Sequence, residues 1–145
     1  MLTALPAPRS RPPSASSFAH WSLRPTPATV PLVRAQVSAV LKGWRISPEV
    51  AETLLLAVSE LATNVVRHAA PVTDRLRVTL ASVGGWLRLD VSDGDPTLPC
   101  AGRAELGAES GRGLAIVNLL VAEARGEMSS VASEGGKTVR VRLPA

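Results

Sequence analysis

Residues 75–93 read Arg75-Leu76-Arg77-Val78-Thr79-Leu80-Ala81-Ser82-Val83-Gly84-Gly85-Trp86-Leu87-Arg88-Leu89-Asp90-Val91-Ser92-Asp93. Leu76, Val78 and Leu80 alternate with Arg75, Arg77 and Thr79, and Leu87, Leu89 and Val91 alternate with Arg88, Asp90 and Ser92. Side chains of a strand point alternately to opposite faces, so a period of two specifies strands with one buried face. Gly84-Gly85 supplies the turn between them, and the two strands are expected to pair as a hairpin. A sheet with a single apolar face needs a cover, and the flanking sequence provides helices.

Upstream, Ser47 is a good N-cap, Pro48 suits the first helical position, and Glu49 favours the positive end of a helix. Leu54, Val58, Leu61 and Val65 then form one apolar stripe. Thr53, Ala57, Glu60, Asn64 and Arg67 form a second, small and polar stripe, and the helix is expected to end near His68, before Pro71. Before it, Val30, Val33, Val37, Val40 and Leu41 recur at helical spacing from Thr29 to Trp44, with Gly43 near the C-terminus. Phe18–Leu23 reads as a short edge strand. Downstream, Gly94–Gly111 holds Pro96, Pro99, Gly102 and Gly107 without periodicity, and a loop of that length in a compact domain is usually functional or mobile. A helix follows from about Leu114 to Ala124, then strands at about 127–133 and 138–143 joined at Gly135-Gly136. This order predicts an α+β fold: a two-layer α/β sandwich with a mixed, mostly antiparallel sheet and helices on one face.

The chain of 145 residues fits one domain with a core, and its 46% hydrophobic content excludes a disordered chain. Residues 1–17 are Pro-, Ser- and Ala-rich with Arg9 and Arg11, and read as a flexible tail ahead of a domain over 18–145. A transit peptide shares that composition and stays open as an alternative. No apolar run reaches the roughly 18–20 residues that cross a bilayer. One cysteine, Cys100, excludes an internal disulfide and suits a reducing cytosol, so a cytoplasmic location is expected. The net charge of +4 is uneven: six of 16 basic residues precede Glu49, the first acidic residue, which leaves 10 basic against 12 acidic behind. With aromatics at 3% and no dense basic stripe on a helix, direct nucleic-acid binding is not expected. A solvated tail, or a face for an acidic protein partner, explains the asymmetry better.

Three features carry chemistry. Glu60 and Asn64 lie four apart and share a helix face, where a carboxylate beside a carboxamide oxygen can position a metal and take a proton. Taken alone, the same pattern fits a solvated helix face. Asp93 is in phase with Leu87, Leu89 and Val91 and so points inward, where a carboxylate needs a donor such as an exocyclic amine. Asp93-Gly94 alone also reads as a plain turn. Gly111-Arg112-Gly113-Leu114 stands at a loop–helix junction, where glycine amides and the helix N-terminus favour phosphate and Arg112 can add a charged contact. It is neither the dinucleotide fingerprint nor a Walker loop, since Ile116 replaces the third glycine and no Gly-Lys-Ser/Thr follows.

In this order, the three features resemble the GHKL superfamily of ATP-binding domains (gyrase, Hsp90, histidine kinase, MutL), whose architecture is the Bergerat ATP-binding fold. Ser59-Glu60-Leu61-Ala62-Thr63-Asn64-Val65-Val66-Arg67-His68-Ala69 is similar to the family's N box. Val91-Ser92-Asp93-Gly94-Asp95-Pro96 and Gly111-Arg112-Gly113-Leu114-Ala115-Ile116-Val117 are similar to its two glycine-containing boxes. Short length and the Asp-Pro variant resemble the anti-sigma-factor serine/threonine kinase subgroup. The resemblance implies ATP with Mg²⁺ held by Asn64. It implies adenine N6 at Asp93, phosphates against Gly111 and Gly113, and a lid over residues 95–110. Arg67, Gly94, Arg112, Leu114 and Thr138 complete the implied nucleotide-binding set, and Glu60 is the implied general base toward a partner's hydroxyl. The implied partners are an anti-anti-sigma-type substrate and a sigma factor, with no membrane. The apolar faces of the first helix and strand can support a homodimer. The alternative is a nucleotide-dependent interaction module without phosphotransfer.

Two positions depart from the family. Asp95 stands where a second glycine is common. In Gly135-Gly136-Lys137-Thr138-Val139, alternation puts Lys137 rather than Thr138 on the face of Val139, Val141 and Leu143, which makes Lys137 a candidate phosphate contact. No phospho-accepting helical hairpin precedes the domain, which disfavours the detached catalytic part of a sensor histidine kinase.

Overall fold

The computed structural model describes residues 16–71, 73–95, 108–133 and 135–145. The chain runs β1 (Ser16–Leu23), α1 (Thr29–Gly43), α2 (Pro48–Asn64), a π-helical turn (Val65–Ala69), β2 (Leu76–Val83), β3 (Trp86–Asp93), α3 (Ala108–Glu123), β4 (Glu127–Ser133) and β5 (Gly136–Pro144). Five strands form one sheet in the order β1-β2-β3-β5-β4. All four pairings are antiparallel. The α+β sandwich expected from the sequence is therefore present. Ser16 and Ser17, assigned to the tail, belong to the edge strand β1 instead; the rest of the tail lies outside the described residues.

The β2–β3 hairpin closes at Val83 opposite Trp86. Gly84 (φ 57°) and Gly85 (φ 84°) take the two positive φ values that a two-residue loop matched to the strand twist requires. Leu76, Val78, Leu80, Leu87, Leu89 and Val91 are buried on one face, joined by Val139, Val141 and Leu143 of β5. The register pairs Leu87 with Leu143, Leu89 with Val141, Val91 with Val139, and Asp93 with Lys137. Phase thus carries one charged pair onto the apolar face at its end.

The helices cover that face. α2 packs against α1, α3, β3 and β5, while α1 lies by β1 and α3 by β4 and β5. Ser47 Oγ accepts a long hydrogen bond from the Val50 N–H (3.5 Å), with Pro48 at the helix start. Leu54, Ala57, Val58, Leu61 and Ala62 face the core. After Asn64 the α-helical period breaks: Val65–Ala69 form a π turn, which holds one more residue than an α-helical arc and keeps both Val65 and Ala69 buried. α1 and α3 end alike. Arg45 (φ 60°) and Arg125 (φ 64°) take the left-handed position that favours glycine, and the next amides, of Ile46 and Gly126, close onto Leu41 O (3.0 Å) and Val121 O (2.8 Å). Gly43, expected near the C-terminus of this helix, is the last helical residue of α1.

α3 starts at Ala108, not near Leu114. Gly111 and Gly113, expected at the loop–helix junction, lie inside the helix, where a glycine costs only about 1 kcal/mol. Burial of Leu114, Val117 and Val121 against the core offsets that cost.

Outside the core, the β1 edge and the exposed side of α1 line an open groove of about 620 Å³ with Trp21, Leu32, Ala35, Gln36, Ala39 and Val40. Trp21 Nε1–H donates to Gln36 Oε1 across it (2.8 Å).

β5 begins at Gly136 (φ 145°), where a Cβ would fall on the Asp93 carbonyl and 2.8 Å from Gly94 Cα. Both obstacles are backbone, so neither yields cheaply. Gly136→Ala should lower stability by about 3 kcal/mol or more, read as a shift of the urea midpoint at constant slope.

Candidate nucleotide-binding site

The structure gathers the expected residues in two places. The first is the end of β3. Asp93 is inward and its side chain is 2% exposed; Lys137, opposite it on β5, is 11% exposed. Lys137 Nζ donates to Asp93 Oδ2 (2.9 Å), to Oδ1 (3.1 Å) and to the Asp95 carbonyl (3.1 Å). The Asp95 N–H donates to Asp93 Oδ1 (2.7 Å), so Asp93 both ends a strand and opens an Asx turn. The two readings of Asp93-Gly94 are thus both realised. A buried carboxylate without donors would be costly, and here a cation and an amide satisfy it.

Thr73, which sequence reasoning missed, ties this end to the segment after the N box. Its hydroxyl accepts from the Gly94 N–H (2.8 Å) and the Arg75 N–H (3.4 Å), and donates to Arg75 O (3.0 Å). A threonine two residues ahead of Arg75 is the pattern of a hydroxyl-capped turn, the local signal that the sequence carries.

The second place is the α2–α3 contact. A Cβ on Gly113 would collide with the Glu60 carboxylate, lying 2.8 Å from its Cδ and 3.6 Å from its Cγ. Gly113 therefore lets α3 close over Glu60, which is half-buried. As the sixth residue of α3, Gly113 has its amide within the helical ladder rather than among the orphan groups at the start. Asn64, also half-buried, is the last residue of α2, one turn beyond Glu60. Their carboxylate and carboxamide oxygens are the hard donors that suit Mg²⁺. Among the described residues no cluster of three or more His, Cys, Asp or Glu could hold a metal alone. A magnesium ion here would complete its shell with water and phosphate oxygens, its usual habit.

The remaining expected residues are spread out. Arg67 is exposed on the π turn, Gly94 is exposed, and Leu114 is a core side chain at 4% exposure. Gly111 and Arg112 lie within α3. The Arg112 side chain, Cys100 and residues 96–107 of the expected lid lie outside the described residues. Thr138 is set apart: it occupies the opposite face of the sheet, bonded to Ser92 (2.8 Å), in an open groove of about 330 Å³ with Thr79, Asp90, Ser129, Val131 and Arg140. On that face Asp90 receives Arg140 Nε (2.8 Å) and Nη2 (3.0 Å), which raises the Arg140 pKa above its ordinary value despite partial burial.

The fold is thus a two-layer sandwich with an acidic residue ending a central strand and a helix bearing Glu60 and Asn64 packed beside it. The match to known families agrees: the histidine kinase-like ATPase domain matches residues 23–143, and the chain belongs to that family. Membership implies ATP as the ligand. Among solved structures, the fold is similar to the histidine kinase domain of the Erythrobacter litoralis EL346 blue-light activated histidine kinase. That match has 21% identity and a TM-score of 0.52 over 79% of this chain and 60% of that one. A second structure of that blue-light activated kinase matches at 21% identity and a TM-score of 0.53, over 76% of this chain and 43% of that one. The chain thus spans less than two thirds of either kinase. No curated protein gives a significant match. No helix among the described residues is long and apolar enough to cross a membrane.

Gly113→Ala exchanges a poor helix former for the best one, which offsets the displacement of a flexible carboxylate. The urea midpoint should therefore stay within about 1 kcal/mol of wild type.

Proposed function

We propose that this chain is an ATP-dependent serine/threonine protein kinase of the anti-sigma-factor type, which transfers the γ-phosphate to a partner protein. The observation that carries this reading is Glu60, a half-buried carboxylate held under Gly113 of α3 on the helix face that also bears Asn64.

In this reading a serine or threonine hydroxyl oxygen of the partner attacks the γ-phosphorus. The hydroxyl proton passes to Glu60, the bond from the γ-phosphorus to the β–γ bridging oxygen breaks, and ADP leaves with its electron pair. Asp93 takes the adenine amino group, and the α3 start faces the phosphates. Magnesium, held through the Asn64 oxygen, would neutralise charge on the phosphate oxygens. The partner is an anti-anti-sigma-type protein, with a sigma factor as a second partner and the cytoplasm as the site of action. A second copy of the chain fits the groove beside β1. That strand is an outer edge of the sheet, so two copies can pair edge to edge while their α1 faces bury Leu32, now 46% exposed.

Asp95, which stands where a second glycine is common, favours a second reading, a nucleotide-dependent interaction module without phosphotransfer, because a further carboxylate near the phosphates opposes the build-up of negative charge there.

Incubation with γ-labelled ATP and candidate partners separates the two. Under the kinase reading, label reaches the partner and Glu60→Gln slows transfer by about 10²–10⁴-fold at unchanged ATP affinity. ATP binding without transfer in the wild type supports the module, and no ATP binding at all rejects both. For the homodimer, sedimentation equilibrium should give a dimer that Leu32→Glu converts to a monomer; a wild-type monomer at high concentration rejects it.

A further inference from the structure

Asp93 has little left to offer a ligand in this structure. A carboxylate has about four lone-pair sites. Oδ1 receives the Asp95 N–H and Lys137, and Oδ2 receives Lys137. One site on Oδ2 remains, on a side chain that is 2% exposed. The Lys137 ammonium lies where a donor must lie to be read by that carboxylate, and a charged donor binds more strongly than a neutral amine. Its position is further fixed by the Asp95 carbonyl. Lys137 follows Gly135 and Gly136 at the very start of β5, on a stem of four flexible carbons.

We propose that Lys137 is an internal competitor for the base-recognition carboxylate. In the free protein its ammonium holds Asp93, and an adenine nucleotide engages Asp93 only when that ammonium gives way. This rests on the reading of Asp93 as the residue that takes the adenine amino group. Lys137 then sets affinity without touching the nucleotide, because apparent affinity scales with the fraction of molecules whose site is open. Pairing in nine molecules of ten weakens binding about tenfold. It also sets the direction of coupling: nucleotide binding releases a cation at the β4–β5 end of the sheet, and whatever captures that cation strengthens nucleotide binding in return.

The sequence contains only two lysines, Lys42 and Lys137, and Lys42 is exposed in the last turn of α1. Reductive methylation with ¹³C-formaldehyde on the full chain therefore reads Lys137 against an internal standard. In the free protein Lys137 should be methylated at least about tenfold more slowly than Lys42, and saturating Mg·ATP should bring its rate up toward that of Lys42. Calorimetric titration with Mg·ATP should give about tenfold tighter binding for Lys137→Gln than for wild type. The proposal is overturned if Lys137 reacts as fast as Lys42 in the free protein, if ATP leaves its rate unchanged or lowers it, or if Lys137→Gln binds ATP no tighter. Should Lys137→Gln fail to fold, the methylation of the wild type decides alone. Absence of ATP binding in both proteins, with Lys137 protected, rejects the nucleotide reading and the competition together. Binding in both with equal affinity rejects the competition alone.

Discussion

Alternation along β3 and β5 is the constraint from which the site follows. Once Leu87, Leu89 and Val91 point into the core and pair with Leu143, Val141 and Val139, the next inward positions are Asp93 and Lys137. A two-residue period leaves no choice, since a one-residue slip would expose the whole apolar set. The sheet therefore delivers a carboxylate and an ammonium to the rim of its apolar face. There each satisfies the other, and the turn at Asp95 closes around them. α2 has to lie over β3 and β5 to cover that face, and it meets α3 at Glu60.

Much of this was legible in the chain because it is local. The hairpin shows in its alternation and in two adjacent glycines that take positive φ, and α2 shows in Ser47-Pro48-Glu49 and its apolar stripe. The inward direction of Lys137 was legible from phase alone. Its partner was not, because pairing Asp93 with Lys137 needs the β3–β5 register, set by contacts far apart in sequence. The start of α3 was misread for a related reason. Gly113 looks like a helix stop, but its lack of a side chain serves the contact with Glu60 on another helix. Thr73 was missed because its role depends on Gly94, two strands later. Arg45 and Arg125 show the opposite case, where tertiary closure holds residues in a conformation that local preference assigns to glycine.

Family membership and the site's particular chemistry concern different residues. The histidine kinase-like ATPase domain matches residues 23–143, a span that takes in Glu60, Asn64, Asp93 and Gly113 together. The departures, Asp95 and Lys137, meet each other through the Lys137–Asp95 hydrogen bond and both engage Asp93. Two residues thus converge on one carboxylate.

The π turn gives the N box a mechanical property of its own. With one spare residue between Asn64 and Ala70, the helix before the turn keeps phase with the core, while the segment after it keeps phase with Thr73 and the strand end. The turn acts as a clutch between two rotational settings. Glu60 and the Thr73–Gly94 bond are each held by their own neighbours, α3 for the one and the end of β3 for the other.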